Sequence, residues 1–213
     1  MLVESELLPG ELGRAREHLL GYFYVQEIVS MMPILALRLG ENDCFLDLCA
    51  APGSKTTQAA MVMNNNGLLI ANDSSPGRTR ILAANCERMG SSNVIITNED
   101  GSMFCRKILD KSDLKFDKVL VDAPCSGEGT IRSSYSASAD WSMKLIESLS
   151  RKQKKLIESA FSILNINGEM VYSTCTHSPE ENEEVVDYLL KKFDAKIVPI
   201  NLPLKIRHGL TEW

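Results

Sequence analysis

Residues 44–73 read CFLDLCAAPGSKTTQAAMVMNNNGLLIAND, and this stretch decides the fold. An apolar run, CFLDL (44–48), leads through a turn of small residues into a helical pattern, TTQAAMVM (56–63), and a second apolar run, GLLIAND (67–73). Strand, helix and strand at this spacing make a βαβ unit, whose two strands run parallel because the crossover helix returns the chain to the same edge. The pattern then repeats outward. A helix is expected near 76–89, a strand at NVIIT (93–97) and another at FDKVLVD (116–122). A long helix over about 142–164 carries Leu156, Ile157, Ala160, Phe161 and Leu164 on one stripe. EMVYST (169–174) is a further strand, 179–192 a helix opening on acidic residues, and AKIVPI (195–200) a last strand. The strands are near-continuous apolar runs, as strands covered on both faces must be. The expectation is an α/β protein with a Rossmann-like, doubly wound, mostly parallel sheet.

The chain has 213 residues, enough for one substantial domain or two small ones, and no repeat or linker divides it. Hydrophobic residues make up 44% and charged ones 24%, which excludes wholesale disorder. The formal charge is −5, so the protein does not coat nucleic acid through bulk charge, although an enzyme holding basic residues locally fits it. No apolar run approaches the roughly 18 residues of a membrane span. The start, MLVESELLPGELGRAREH, lacks the apolar segment of a secretory signal, so the expected address is intracellular. Six cysteines stand at 44, 49, 86, 105, 125 and 175, with no C-x-x-C pair, and no metal site is expected. Each is by default a small buried hydrophobe, and two depart from that default.

Ligands of such sheets bind beyond the carboxyl ends of the strands. After the first strand come Cys49, Ala50, Ala51, Pro52, Gly53, Ser54 and Lys55, small enough for a ligand to approach the backbone at a helix start. The turn is neither a G-x-G-x-x-G fingerprint nor a P-loop, and it also reads as a plain strand-to-helix connection. Asp73 ends the second strand, where an acid commonly accepts ribose hydroxyls, and Arg78 either braces it or lies on the helix surface. Asp100 ends the third strand region, suited to an adenine amino group; either aspartate alone is more often a turn or capping residue. Two acids at successive strand ends favour a nucleoside ligand. Asp122-Ala123-Pro124-Cys125-Ser126-Gly127 and Ser173-Thr174-Cys175-Thr176 then place two thiols after two strands, on the same rim. A thiol there suits nucleophilic attack on soft carbon better than packing.

DLCAAPGSKTTQ, IANDSSPGR, VDAPCSGEGTIR and VYSTCTHSPEENEEVV together resemble the motif set of the Nol/Nop/Sun RNA (cytosine-5-)-methyltransferases, in order from GYFYVQEIVSMMP (21–33) to about residue 192. The resemblance implies a class I S-adenosylmethionine-dependent methyltransferase catalytic domain over 21–213, behind a lead-in at 1–20. It implies that residues 49–55 surround the methionine moiety, Asp73 the ribose and Asp100 the adenine side. It further implies Cys175 as nucleophile at carbon 6 of cytosine, Cys125 as the cysteine that assists release and Asp122 as a contact to the base and to the cofactor, with Lys55 near the thiolate or the cytosine edge. The implied partner is RNA, with tRNA preferred over rRNA. The implied address is cytoplasmic, or nuclear and nucleolar in a eukaryote.

Relatives usually carry an RNA-binding module before the GYFYVQ-like segment and a strand pair near the end. The resemblance therefore leads to the expectation of a catalytic-domain fragment. Two other readings compete: a non-catalytic S-adenosylmethionine-binding assembly factor, and an amino-group methyltransferase, whose strand end wants an aromatic residue where Cys125 stands. A Cys/His hydrolase using His177 lacks an orienting third group. The run Arg151-Lys152-Gln153-Lys154-Lys155 reads as a solvated helix face or, with Arg132, Lys205 and Arg207, as a contact to RNA phosphates.

Overall fold

A computed structural model describes residues 10–130 and 141–212, which leaves Arg132 outside the described residues. Five parallel strands form one sheet: β1 (Cys44–Asp47), β2 (Leu68–Asn72), β3 (Val94–Thr97), β4 (Phe116–Asp122) and β5 (Leu164–Ser173). Their order is β3-β2-β1-β4-β5, so the winding reverses at β1 and a crevice opens between the ends of β1 and β4.

The strands alternate between two apolar layers. Phe45, Leu69, Ala71 and Leu120 face α2 (Ile28–Leu37), α3 (Ser54–Val62) and α4 (Pro76–Arg88), packing with Ile34, Leu37, Ala59, Met63 and Leu82. Leu46, Ile70, Val119 and Val121 face the other way, against Phe104 and Cys105 of α5 (Gly101–Lys111) and Leu156 and Ala160 of α6 (Met143–Ser162). A short α1 (Arg16–Leu19) precedes these elements. At the α5 start the layers close tightly: a side chain on Gly101 would meet Leu156 at 2.8 Å and Leu48 at 3.1 Å.

Three expectations are corrected. The long helix ends at Ser162, and β5 begins at Leu164 rather than at 169. Asn167, with φ of 65°, lies in an irregularity of the β4–β5 pairing, so the polar NING stretch hid the first half of a strand. The helix expected over 179–192 is a 3-10 turn, Pro179–Glu181, a break at Asn182 and α7 (Glu183–Lys192). AKIVPI forms no strand: Pro199 has no N–H for a ladder, and Ile197 stays 71% exposed. Residues 195–200 instead run beside the outer edge of β5, across a cavity of about 1170 Å³.

Leu120 is fully buried in the central strand β4, whereas Ile166 is 95% exposed on β5. Leu120→Ala should therefore lose about 2–5 kcal/mol in urea unfolding, while Ile166→Ala should stay within about 0.5 kcal/mol of the parent.

Candidate active site

The turn after β1 is built for close approach. Gly53 adopts φ of +109°, and a side chain there would sit 3.0 Å from Leu82 Cδ1, so only glycine fits between the turn and α4. Beneath it Asp47 is buried; its Oδ2 accepts from Thr56 Oγ1 at 2.8 Å and its Oδ1 has no partner. Burial, with Asp122 and Asp73 nearby, pushes its carboxyl up to about 7. An unpartnered acceptor in this position suits a donor brought by a ligand.

Asp73 holds the turn down. Its Oδ2 accepts from Ala51 N at 3.2 Å and its Oδ1 from Ser75 N at 2.9 Å. Arg78 braces it: Nη1 lies 3.5 Å from Asp73 Oδ2, and Nη2 donates to Ala51 O. Asp100 is the N-cap of α5, its Oδ1 accepting from Ser102 N and Met103 N, which leaves Oδ2 out of the cap. Asn72, one residue before Asp73, ties the three strand ends together. Its Nδ2 donates to Leu48 O and Glu99 O, and its Oδ1 accepts from Thr97 Oγ1 and Glu99 N.

Across the crevice, Lys55 Nζ lies 2.7 Å from Asp122 Oδ2 and donates to Ser30 Oγ at 3.1 Å, while Ser173 Oγ donates to Asp122 Oδ1 at 2.7 Å. This ion pair joins the β1 side of the site to the β4–β5 side. The 21–33 segment thus reaches the site through Ser30, and Gln26 reaches Gln58.

The thiols meet at the far end. Cys125 Sγ and Cys175 Sγ are 3.2 Å apart, and Cys175 N donates to Cys125 Sγ at 3.2 Å. Gly129 N donates to Cys175 O at 2.8 Å, and a side chain on Gly129 would strike that same oxygen. The hydrogen bond from Cys125 lowers the Cys175 thiol to about 7, with Lys55 adding to the fall and burial and Asp122 opposing it. Donating that bond raises Cys125. Burial also raises Cys44, Cys49, Cys86 and Cys105, and Cys175 is the exposed cysteine of the six. Cys49 therefore packs beside the turn, and among the six cysteines Cys175 is the one whose surroundings favour the thiolate.

Among the described residues His177 makes no hydrogen bond to Cys175, so the hydrolase arrangement is not formed; its backbone N–H donates to Glu128. In the basic run, Lys154 pairs with Glu184 and Gln153 is buried, so only part of that face is solvated. Among the described residues no group of three or more His, Cys, Asp or Glu side chains is placed to hold a metal ion, and no helix is long and apolar enough to cross a membrane.

Sequence reasoning missed Asn72, Ser30 and Asp47 as site residues. Only Asp47 carried a signal, as the acid that closes β1 where Asp73 follows β2.

A doubly wound parallel sheet with these strand ends is the fold of the class I S-adenosylmethionine methyltransferases, and the sequence profile of the 16S rRNA methyltransferase RsmB/F family matches residues 34–211. The chain belongs to that family. It is 48% identical over 192 residues to ribosomal RNA small subunit methyltransferase F of Vibrio cholerae, covering 89% of this chain and 39% of that protein. The Shewanella oneidensis protein of the same name is 48% identical over 185 residues, or 86% of this chain and 38% of that one. The chain thus spans about two fifths of these curated relatives. Among solved structures, NSun6 from Pyrococcus horikoshii with SFG superposes with a TM-score of 0.78 at 38% identity, over 87% of this chain and 46% of that one. A methyltransferase homologue from the same organism gives 0.79 at 34%, over 92% and 60%.

Iodoacetamide should label Cys175 first, with a rate that rises with pH through a midpoint near 7, because deprotonation creates the nucleophile. Removing the donor in Cys125→Ala should move that midpoint up toward the ordinary thiol range of about 8.5. Peptide mass spectrometry across pH reads both, and an unmoved midpoint would show that Cys125 is not the donor.

Proposed function

We propose that this chain is the catalytic domain of an enzyme that methylates carbon 5 of cytosine in RNA, with S-adenosylmethionine as cofactor and Cys175 as the attacking group. The observation that carries this reading is the thiol pair, 3.2 Å apart on the rim where the Lys55–Asp122 ion pair also lies. A cytosine needs a nucleophile at carbon 6, a hydrogen-bonding acid at nitrogen 3 and a second group to finish the reaction, and this rim supplies each.

The residues present fit the cofactor. Asp47 offers an unpartnered buried oxygen, and the glycine at Gly53 lets the turn pack directly against Leu82 of α4. Residues 49–55 would surround the methionine moiety, Asp73 the ribose and Asp100, through its free Oδ2, the adenine side. Bound S-adenosylmethionine supplies an electrophilic methyl group. A neighbour crystallised with SFG, an analogue of that cofactor, supports the assignment.

Addition of the Cys175 thiolate to carbon 6 makes the ring enamine-like, so that carbon 5 becomes nucleophilic. Asp122 would hydrogen-bond nitrogen 3, and the Lys55 ammonium, 2.7 Å from its carboxylate, would offset the negative charge that develops there. Once carbon 5 carries its methyl group, its proton must leave so that Cys175 can be eliminated. Cys125, or a base it positions, serves that step. The base reaches the rim by leaving its stack.

Of the two RNA classes, small-subunit rRNA displaces the tRNA expected from overall similarity, because the matched family and the relatives cited carry that name. Those relatives are bacterial, which favours the cytoplasm and leaves the nucleolar option unsupported. The domain division at residue 21 is retained, with the segment up to Ser30 contributing to the site. The intact thiol pair speaks against a non-catalytic binding protein, and Cys125 against an amino-group methyltransferase.

Bisulfite sequencing should show a cytosine in small-subunit rRNA that loses its mark when the gene is deleted; loss confined to tRNA would reverse the choice. On a denaturing gel with labelled rRNA, Cys175→Ala should form no adduct and no 5-methylcytosine. Cys125→Ala should methylate but stay attached, as a slow, reductant-resistant band. If neither variant traps RNA and both keep activity, the covalent route is wrong. Asp73→Ala should weaken S-adenosylmethionine by about 1.5–3 kcal/mol in calorimetry, having lost a charged acceptor.

A further inference from the structure

Glu181 is fully buried, yet it forms no ion pair among the described residues. All its side-chain partners are neutral donors: Ser126 N at 3.0 Å, the Ser126 hydroxyl, and Gln153 Nε2 at 2.8 Å. Enclosing a carboxylate without a cation costs several kcal/mol unless its oxygens are well hydrogen-bonded, so an apolar residue of equal size is the cheaper choice for packing alone. What the carboxylate holds is the turn around Cys125. Ser126 follows that cysteine, and Gln153, anchored on Glu181, donates at 2.9 Å to the carbonyl of Pro124, which precedes it.

The next residue does the same for the other thiol. Asn182 Oδ1 accepts from Thr174 Oγ1 at 2.6 Å, and its Nδ2 donates to Thr176 O at 3.2 Å and Ser178 O at 2.9 Å. Thr174 and Thr176 flank Cys175. The backbone of the pair is itself fixed, since Tyr172 Oη donates to Glu181 O at 2.6 Å from within β5. The helix break at Asn182, with φ of −118° and ψ of −89°, separates the pair from α7.

We propose that Glu181 and Asn182 are positioning residues for the thiol pair: Glu181 fixes the turn that carries Cys125, Asn182 fixes the turn that carries Cys175, and together they set the separation of the two sulfurs. The Ser126 hydroxyl, 2.8 Å from Thr176 Oγ1, links the two turns directly. The inference rests on the reading of Cys175 as nucleophile and Cys125 as the group for release, and it adds what brings them together. Glu181 acts on release, through Cys125, and Asn182 acts on attack, through Cys175.

The test reads two quantities in the full chain. The first is the pH midpoint of Cys175 alkylation, which needs neither RNA nor cofactor. The charged or titratable groups that act on that sulfur are Cys125 and Asp122 from the β4 side and Lys55 from α3, while Glu128 holds the neighbouring Thr176 and His177 N. None of these is altered by Glu181→Gln or Asn182→Ala. Each variant should raise the midpoint by about one pH unit, because Cys125 no longer donates squarely to Cys175.

The second is the adduct with labelled small-subunit rRNA. Glu181→Gln should accumulate it, as Cys125→Ala does, whereas Asn182→Ala should form it several-fold more slowly. Ser126→Ala and Thr174→Val, which each cut one hydroxyl bond of the clamp, should shift the midpoint the same way by less, and they decide the matter if the larger changes do not fold. Folded variants with lowered melting temperature but an unmoved midpoint overturn the proposal and leave a structural role only. If Cys125→Ala traps no RNA, the covalent reading fails, and the midpoint alone still decides the clamp.

Discussion

Five strands running the same way put five carboxyl ends on one edge, and everything chemical in this protein depends on that constraint. Parallel pairing forces each connection to cross over through a helix, so the loops at this edge are the ones left free to carry side chains of their own choosing. The reversal of strand order at β1 then opens the crevice that Lys55 and Asp122 span at 2.7 Å. A cation in the first turn of α3, just past β1, and an anion ending β4 are drawn to the same point because their strands are neighbours.

Electrostatics on this edge is arranged in opposition. Asp47 is kept from ionising freely by its burial, while Cys175 is helped to ionise by a neighbouring thiol and by Lys55. Burial alone would push both groups toward their neutral forms, and the hydrogen bond from Cys125 is what separates their fates. Among the cysteines the difference arises from position and partner, not from residue type. The five other cysteines of the same chain are raised by their surroundings.

Much of this is legible in the sequence because parallel strands buried on both faces announce themselves as apolar runs, and the residues just after each run then form the site. Asp73, Asp122, Cys125 and Cys175 are found that way, and Lys55 by its place in the first turn. The misses share a physical cause, which is partnership at long range. NING carries no apolar alternation, so the start of β5 is invisible until Phe116 pairs with Leu164. Gln153 sits within a run of basic residues and reads as solvated, although the same helix buries it under Pro124. Glu181 and Asn182 look like the acidic opening of a helix. Their partners lie as far as 55 residues away, and no local pattern reports them. AKIVPI fails in the opposite direction: its composition is that of a strand, but pairing needs a donor at every second residue, and Pro199 withholds one.

The order of the strands also divides the site by position in the chain. Every group assigned to the nucleoside side, from Asp47 to Asp100, comes from an unbroken stretch whose strands pair with one another. The two sulfurs come from turns 50 residues apart, on the other side of β1. During synthesis the residues from Asp47 to Asp100 therefore leave the ribosome before either turn that carries a sulfur. Of the two sulfurs Cys175 is made second, and the residues that hold both turns, Glu181 and Asn182, are made after it, so the thiol end of the centre is completed only from the last part of the chain.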